Sequence, residues 1–144
     1  MKRTIRPNIF VPYSLHDMRV IGFEVNGDTL IMRTQSGMTK TTEPYGQPDG
    51  YVEFQQIDWD FCYAYTMDIL ANEGEFSGRK MSLQDFIAEF ENSGFEVIDE
   101  TFGYNSSKFS GWLLQKRHLQ ECSIEIYHLG DMVYVTEEFI PLIC

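Results

Sequence analysis

From Ile57 the chain alternates strictly. Ile57, Trp59, Phe61, Tyr63, Tyr65, Met67 and Ile69 occupy the odd positions, and Asp58, Asp60, Cys62, Ala64, Thr66 and Asp68 the even ones. Successive side chains of a strand leave on opposite faces, so this stretch predicts a ribbon with one large aromatic face and one small, acidic face. A helical reading is available, because Trp59, Tyr63 and Met67 are spaced by four, but aromatic enrichment with strict alternation favours strand. Upstream, Val52 and Phe54 lie in the opposite phase. A one-residue insertion swaps faces, so the pattern predicts a β-bulge near Gln55–Asp58 within the stretch Tyr51–Leu70.

The remaining punctuation predicts an antiparallel architecture. Asn26-Gly27 separates Met18–Val25 from Asp28–Gln35 and reads as a type I′ hairpin turn, with Arg19, Ile21, Phe23 and Val25 on one face of the first strand. Ile9–Tyr13 can add only a short edge strand beside Pro7 and Pro12. Residues 36–50, with three glycines and two prolines, read as a long connection. Ser82 is an N-cap with Asp85 three residues on, and Met81 can staple onto Phe86. Leu83, Phe86, Ile87 and Phe90 form an apolar stripe, and Gly94 stands as the stop, which predicts a helix over 83–92. Strands are expected at Phe95–Phe102, Phe109–Lys116, Cys122–Leu129 and Met132–Glu137, with Gly130-Asp131 joining the last two as a tight hairpin. The expected fold is α+β in a single domain over residues 1–144. Seven or eight mostly antiparallel strands form a curved sheet or open barrel, with the helix packed on its concave aromatic face.

Composition narrows the function classes. With 43% hydrophobic and 15% aromatic residues, the chain can build a core and is not a disordered one. No apolar run is long enough to span a membrane, and the basic N-terminal residues precede no apolar segment, so the expectation is a cytoplasmic protein without a signal peptide. Net charge is −11. Residues 1–52 carry six basic and five acidic side chains, 53–100 two and twelve, and 101–144 three and five. The acidity is thus concentrated in the middle third. Such a chain repels phosphate backbones and attracts basic partners, so no nucleic acid is expected.

Several residue groups are candidates for chemistry. Asp58 and Asp60, about 6–7 Å apart on one strand face, could share a metal or act as an acid/base pair, but no companion ligand spacing accompanies them. His16, His128 and Cys62 could sketch a thiol nucleophile with a base, although no glycine elbow or oxyanion-hole motif surrounds them. Cys62, Cys122 and Cys144 lack a C-x-x-C spacing, and no metal or cofactor is indicated. Asn105-Ser106-Ser107 formally matches a glycosylation acceptor and reads as a polar loop through to Gly111. Tyr45, Phe76 and Trp112 are aromatics of the kind that anchor interfaces. No phosphate loop, G-x-S-x-G, H-E-x-x-H or EF-hand pattern is present.

The expected role is therefore a non-catalytic acidic binding protein for a basic protein partner, in the manner of immunity proteins. Binding is assigned to Asp58, Trp59, Asp60, Tyr45, Phe76 and Trp112. Two other classes fit the same sequence. One is a small-ligand binder or enzyme using a pocket between sheet and helix, with Asp58, Asp60, Trp59 or Cys62 in it. The other is a subunit that self-associates into a homo-oligomer through an uncovered aromatic sheet face.

Overall fold

The structure, a computed structural model, describes residues 1–68, 78–115 and 118–138. Among these the strands are β1 (Lys2–Ile5), β2 (Tyr13–Ser14), β3 (Arg19–Asn26), β4 (Thr29–Thr34), β5 (Thr39–Lys40) and β6 (Gly50–Phe54). There follow β7 (Tyr63–Asp68), β8 (Gly78–Ser82), helix α1 (Leu83–Glu89), β9 (Gly94–Gly103), β10 (Ser106–Gln115), β11 (His118–Tyr127) and β12 (Met132–Thr136). Ten strands form one open sheet in the order β1-β12-β6-β4-β3-β9-β10-β11-β7-β8, and β2 pairs with β5 separately. Every pairing is antiparallel. The mostly antiparallel sheet with one helix matches the expected class, but the main sheet has ten strands rather than seven or eight. β1 is too short to show a period, and in the separate β2–β5 pair β5 falls inside residues 36–50, which read as connection.

The sheet is strongly curled. Three strands separate β6 from β10, which in a flat sheet would place them about 19 Å apart. Yet the rings of Phe54 on β6 and Phe109 on β10 lie 6.0 Å apart, edge to face, and both are fully buried. The core fills the concave side with Leu30, Met32, Val52, Phe54, Phe95, Val97, Phe109, Leu113, Ile124 and Ile126.

Over its described residues, Tyr51–Asp68, the stretch Tyr51–Leu70 is two strands joined by a crossover, not one bulged strand. β6 lies third in the sheet and β7 ninth. Between them Gln56 takes a positive φ of 50°, and Trp59–Phe61 form a 3-10 turn capped by the Asp58 side chain. The face assignment is also reversed. Cys62, Ala64 and Thr66 are buried, whereas Tyr63, Tyr65 and Met67 are only half-buried and Phe61 is exposed. Lys80 covers the outer aromatics, its Nζ 4.3 Å from the Tyr63 ring centroid and 5.8 Å from that of Tyr65. The physical reason is space. Helix α1 brings the bulky Leu83 and Phe86 into the core beside β7, so the strand beneath must present small side chains.

The helix begins as expected, with the Asp85 N–H donating to Ser82 Oγ at 3.1 Å. It ends earlier, at Phe90, whose N–H donates to the Phe86 carbonyl, and Gly94 opens β9 instead of capping the helix. The first hairpin is shifted by one residue. Asn26 pairs with Thr29, so the loop is Gly27-Asp28, and of the two only Gly27 has positive φ, as a type II′ turn requires. A bulge between Val20 and Gly22 then places Val20 and Phe23 toward the core, with Ile21 exposed. The expected Gly130-Asp131 hairpin does not form. β11 pairs with β10 and β7 while β12 pairs with β6 and β1. Gly130 instead packs on Gln55, whose carbonyl accepts from the Gly130 N–H at 3.0 Å.

A second bulge directs the interior. Ser110 pairs with Asp99 and Gly111 with Val97, so Ile98 is left out of the ladder. Beyond it the facing of β9 inverts, and Glu100 and Phe102 turn inward in place of Asp99 and Thr101. Gly111 permits the close approach, since a Cβ there would stand 1.8 Å from the Glu96 carbonyl oxygen. Gly111→Ala is expected to lower unfolding free energy by at least about 2 kcal/mol in chemical denaturation, whereas Gly46→Ala, with open space around it, stays within about 0.5 kcal/mol.

Candidate functional site

Three of the residues singled out from sequence do meet in space. Asp58, Trp59 and Asp60 line an open, shallow groove of about 570 Å³ with Asp28, Gln56, Ile57 and Leu129. Asp28 comes from the β3–β4 turn, Leu129 from the β11–β12 connection, and the others from the crossover between β6 and β7. Backbone bonds hold these segments together: the Ile57 N–H donates to the Asp28 carbonyl at 2.9 Å, the Asp58 N–H to Tyr127 at 3.0 Å, and the Leu129 N–H to Gln56 at 2.9 Å. The aspartates therefore sit in turns, not on a strand face. Asp58 Oδ1 accepts from the Asp60 N–H at 3.3 Å. Among the described residues no Lys, Arg or His makes an ion pair with Asp28, Asp58 or Asp60. Apolar groups flank the carboxylates, with Phe61 59% exposed and its ring 5.5 Å from that of Tyr127 at a tilt of 54°, and Leu129 55% exposed.

The other predicted binding residues do not join this groove. Tyr45 lies 71% exposed in the loop after β5. Trp112 is on the outer face of β10 and lines a separate depression with Met67, Ile98, Asp99, Gly111 and Glu121. Phe76 lies outside the described residues. The cleft between helix and sheet holds about 110 Å³ and is lined by Val20, Gly22, Phe23, Phe86, Ile87, Phe90, Phe95 and Leu113, with Glu91 and Ser93 as its polar members. Asp58, Trp59, Asp60 and Cys62 are not part of it.

Cys62, His16 and His128 go three separate ways. The Cys62 thiol contacts the Asp58 carbonyl at 3.1 Å and the Tyr127 backbone, and burial pushes its pKa up. Cys122 is buried without such contacts, and its thiol is pushed up to about 12. Neither is an ionised nucleophile near neutral pH. Among the described residues no group of three or more His, Cys, Asp or Glu side chains is placed to hold a metal ion.

His128 instead pairs with Ser107, which sequence reasoning had left in a polar loop. Ser107 Oγ and His128 Nε2 are 2.8 Å apart, and His128 Nδ1 lies 3.0 Å from the Gly130 carbonyl. A carbonyl only accepts, so Nδ1 carries the proton and Nε2 accepts from the serine hydroxyl. The connectivity is that of a nucleophile and its base, but Ser107 is fully buried and His128 nearly so. The pair satisfies polar groups under the β11–β12 corner, beside the Phe54 ring at 5.3 Å. His16 is exposed, with Nδ1 2.5 Å from the Ile98 carbonyl that the bulge freed and Nε2 3.3 Å from Asp17. Both contacts favour two ring N–H groups and hence the imidazolium.

A further polar group lies on the concave face and carries no sequence motif. Alternation turns Lys2, Thr4 and Arg6 inward, opposite Thr136, Tyr134 and Met132. Glu138 closes one end, accepting from Tyr13 Oη and Thr136 Oγ1 and pairing with Lys40 at 3.4 Å. Glu100 accepts from the Leu15 N–H at 2.9 Å and from Ser14 Oγ at 3.4 Å. Burial raises its pKa against the pull of those donors.

Compared with known proteins, the chain matches no family model, no curated sequence and no solved structure. No described helix is long and apolar enough to cross a membrane.

The two histidines should titrate on opposite sides of the free value of about 6.5. Burial lowers the pKa of His128, so its contribution to stability is fully present above about 6.5 and lost as pH falls through its folded-state pKa. The Ile98 carbonyl and then Asp17 raise that of His16, so its contribution is full below about 6.5 and lost as pH rises through its folded-state pKa. Ring-proton NMR titration is expected to place the His128 midpoint below the free value and the His16 midpoint above it, with the His16 resonance identified by its disappearance in His16→Asn.

Proposed function

We propose that this protein binds a basic segment of a protein partner through the groove of Asp28, Asp58 and Asp60, without catalysing a reaction. The observation that carries this reading is the placement of three carboxylates from two chain segments in one groove with exposed Leu129, next to exposed Phe61 in the chain, with no cation paired to them among the described residues. Unpaired surface carboxylates accelerate encounter with a cationic partner and discriminate against anionic ones. The neighbouring apolar side chains supply the desolvated contact that charge alone does not. A net charge of −11 extends the same field over the molecule and disfavours phosphate backbones. Occupying the cationic groove of a toxin or nuclease is a role this surface suits.

The test uses a synthetic peptide of arginine and leucine as the basic partner. Binding is expected to weaken as salt rises, and the triple variant Asp28→Asn/Asp58→Asn/Asp60→Asn is expected to bind at least tenfold more weakly, about 1.4 kcal/mol. Asparagine retains the capping role of Asp58. A control that neutralises the exposed Glu91, Glu121 and Glu137 changes net charge equally and should leave the affinity within about twofold, the range of surface changes away from a site. Equal weakening by both variants would reduce the effect to overall charge and reject the groove.

A further inference from the structure

The concave face holds a different kind of unpaired group. Among the described residues three buried side-chain polar atoms have no hydrogen-bond partner: Thr4 Oγ1, Arg6 Nε and Tyr134 Oη. They belong to one neighbourhood. Thr4 is the direct cross-strand partner of Tyr134, and Arg6 follows on the same face, its backbone N–H donating to the Met132 carbonyl at 2.8 Å. Tyr134 is fully buried, its ring 5.2 Å from that of Tyr13. The Arg6 guanidinium lies over the Phe102 ring at 4.5 Å and is near enough to act electrostatically on both Tyr134 and His128.

The carboxylates and the Ser107–His128 pair that could have satisfied these atoms from within are engaged elsewhere, while Tyr13 Oη lies beside the Thr4 side chain and Glu100 is near enough to act on Tyr134. Glu100 is held by Leu15 and Ser14, and Glu138 by Tyr13, Thr136 and Lys40. Ser107 and His128 are bonded to each other. Arg6 has no carboxylate within ion-pair distance among the described residues. A buried donor left unmade is expensive, and the half-buried Arg6 side chain carries a charge that none of these groups pairs.

We propose that Arg6, Thr4 and Tyr134 form a binding site for a small oxyanion, a carboxylate or phosphate group, on the concave face between β1–β12 and β9. The chemistry discriminates among occupants. An apolar ligand leaves all three atoms unmade, and a cation is repelled by Arg6. A water molecule satisfies the hydroxyls but leaves the guanidinium charge uncompensated. An oxyanion accepts from the Arg6 Nε–H and from both hydroxyls while neutralising the charge, and charge-assisted bonds of this kind are the stronger ones. The Phe102 ring, 4.5 Å from the guanidinium carbon, holds the cation by a cation–π contact. The site is independent of the acidic groove and stands or falls separately from it.

The experiment titrates the intact protein with sodium acetate and, separately, with inorganic phosphate, each at constant ionic strength against chloride, following the Arg6 Nε–H resonance by NMR and the melting temperature. A saturable shift of that resonance with a rise in melting temperature supports the site, and whichever anion produces it identifies the headgroup class. Tyr134→Phe, which keeps the ring, is expected to weaken that anion at least tenfold, and Thr4→Val gives the same comparison if the first variant folds poorly. Absence of a saturable shift with either anion overturns the proposal. So does an affinity unchanged in the variants, or an internal water alone bridging the three atoms in anion-soaked crystals.

Discussion

The structure depends on the crossover from Gln55 to Cys62, which ties together parts of the sheet that are not neighbours in it. Its backbone bonds reach Asp131 ahead of β12, Asp28 in the β3–β4 turn and Tyr127 at the end of β11. A ten-stranded antiparallel sheet left to its natural twist has no reason to bring those three points together. The crossover supplies the reason, because each bond pairs one of its backbone donors with an acceptor on a different part of the rim. Gly130 is part of the same junction, since its missing Cβ lets it rest against Gln55.

Curvature then sets the rules for side-chain size. On the concave side Phe54 and Phe109 meet across three intervening strands, so volume there is scarce. Where helix α1 adds Leu83 and Phe86, β7 can contribute only Ala64 and Thr66, with Cys62 just before it. The aromatic residues of β7 move outward and find partial cover under Lys80, whose stem and ammonium serve an apolar and a cationic contact together. The bulge at Ile98 works in the same economy of space. It changes which residues of β9 face in, and so installs Glu100 and Phe102 opposite the polar inner face of β1 and β12.

Charge is accordingly divided into two populations. Inside, polar groups find partners in one another, as Ser107 does with His128 and Glu138 with Tyr13 and Lys40. Outside, the turns at Asp28 and Asp58–Asp60 hold carboxylates beside exposed apolar side chains. Part of this division was legible in sequence. The clustering of Asp58, Trp59 and Asp60 and the acidity of the middle third could be read directly, whereas Asp28 could not, because only the pairing of the Ile57 N–H with its carbonyl brings that turn alongside. The polar inner face was invisible for a simpler reason: Lys2, Thr4 and Arg6 alternate with Arg3 and Ile5, and a strand with polar residues on both faces has no amphipathic signature.

Local chemistry was enough to specify the antiparallel α+β class, the helix start at Ser82, a hairpin at Gly27 and the period-2 character of the segment that becomes β7. Those features arise from interactions among residues a few positions apart, and their signals survive in any context. Tertiary structure alone decided which face of β7 is buried, that Gly130 makes a corner and not a hairpin, and that a strand-like stretch is divided between the third and ninth places in the sheet. Period 2 defines two faces without saying which points inward, and a Gly-Asp pair permits a tight turn without requiring the strands on either side to pair. Both choices were made by what packs opposite, helix α1 in one case and Gln55 in the other.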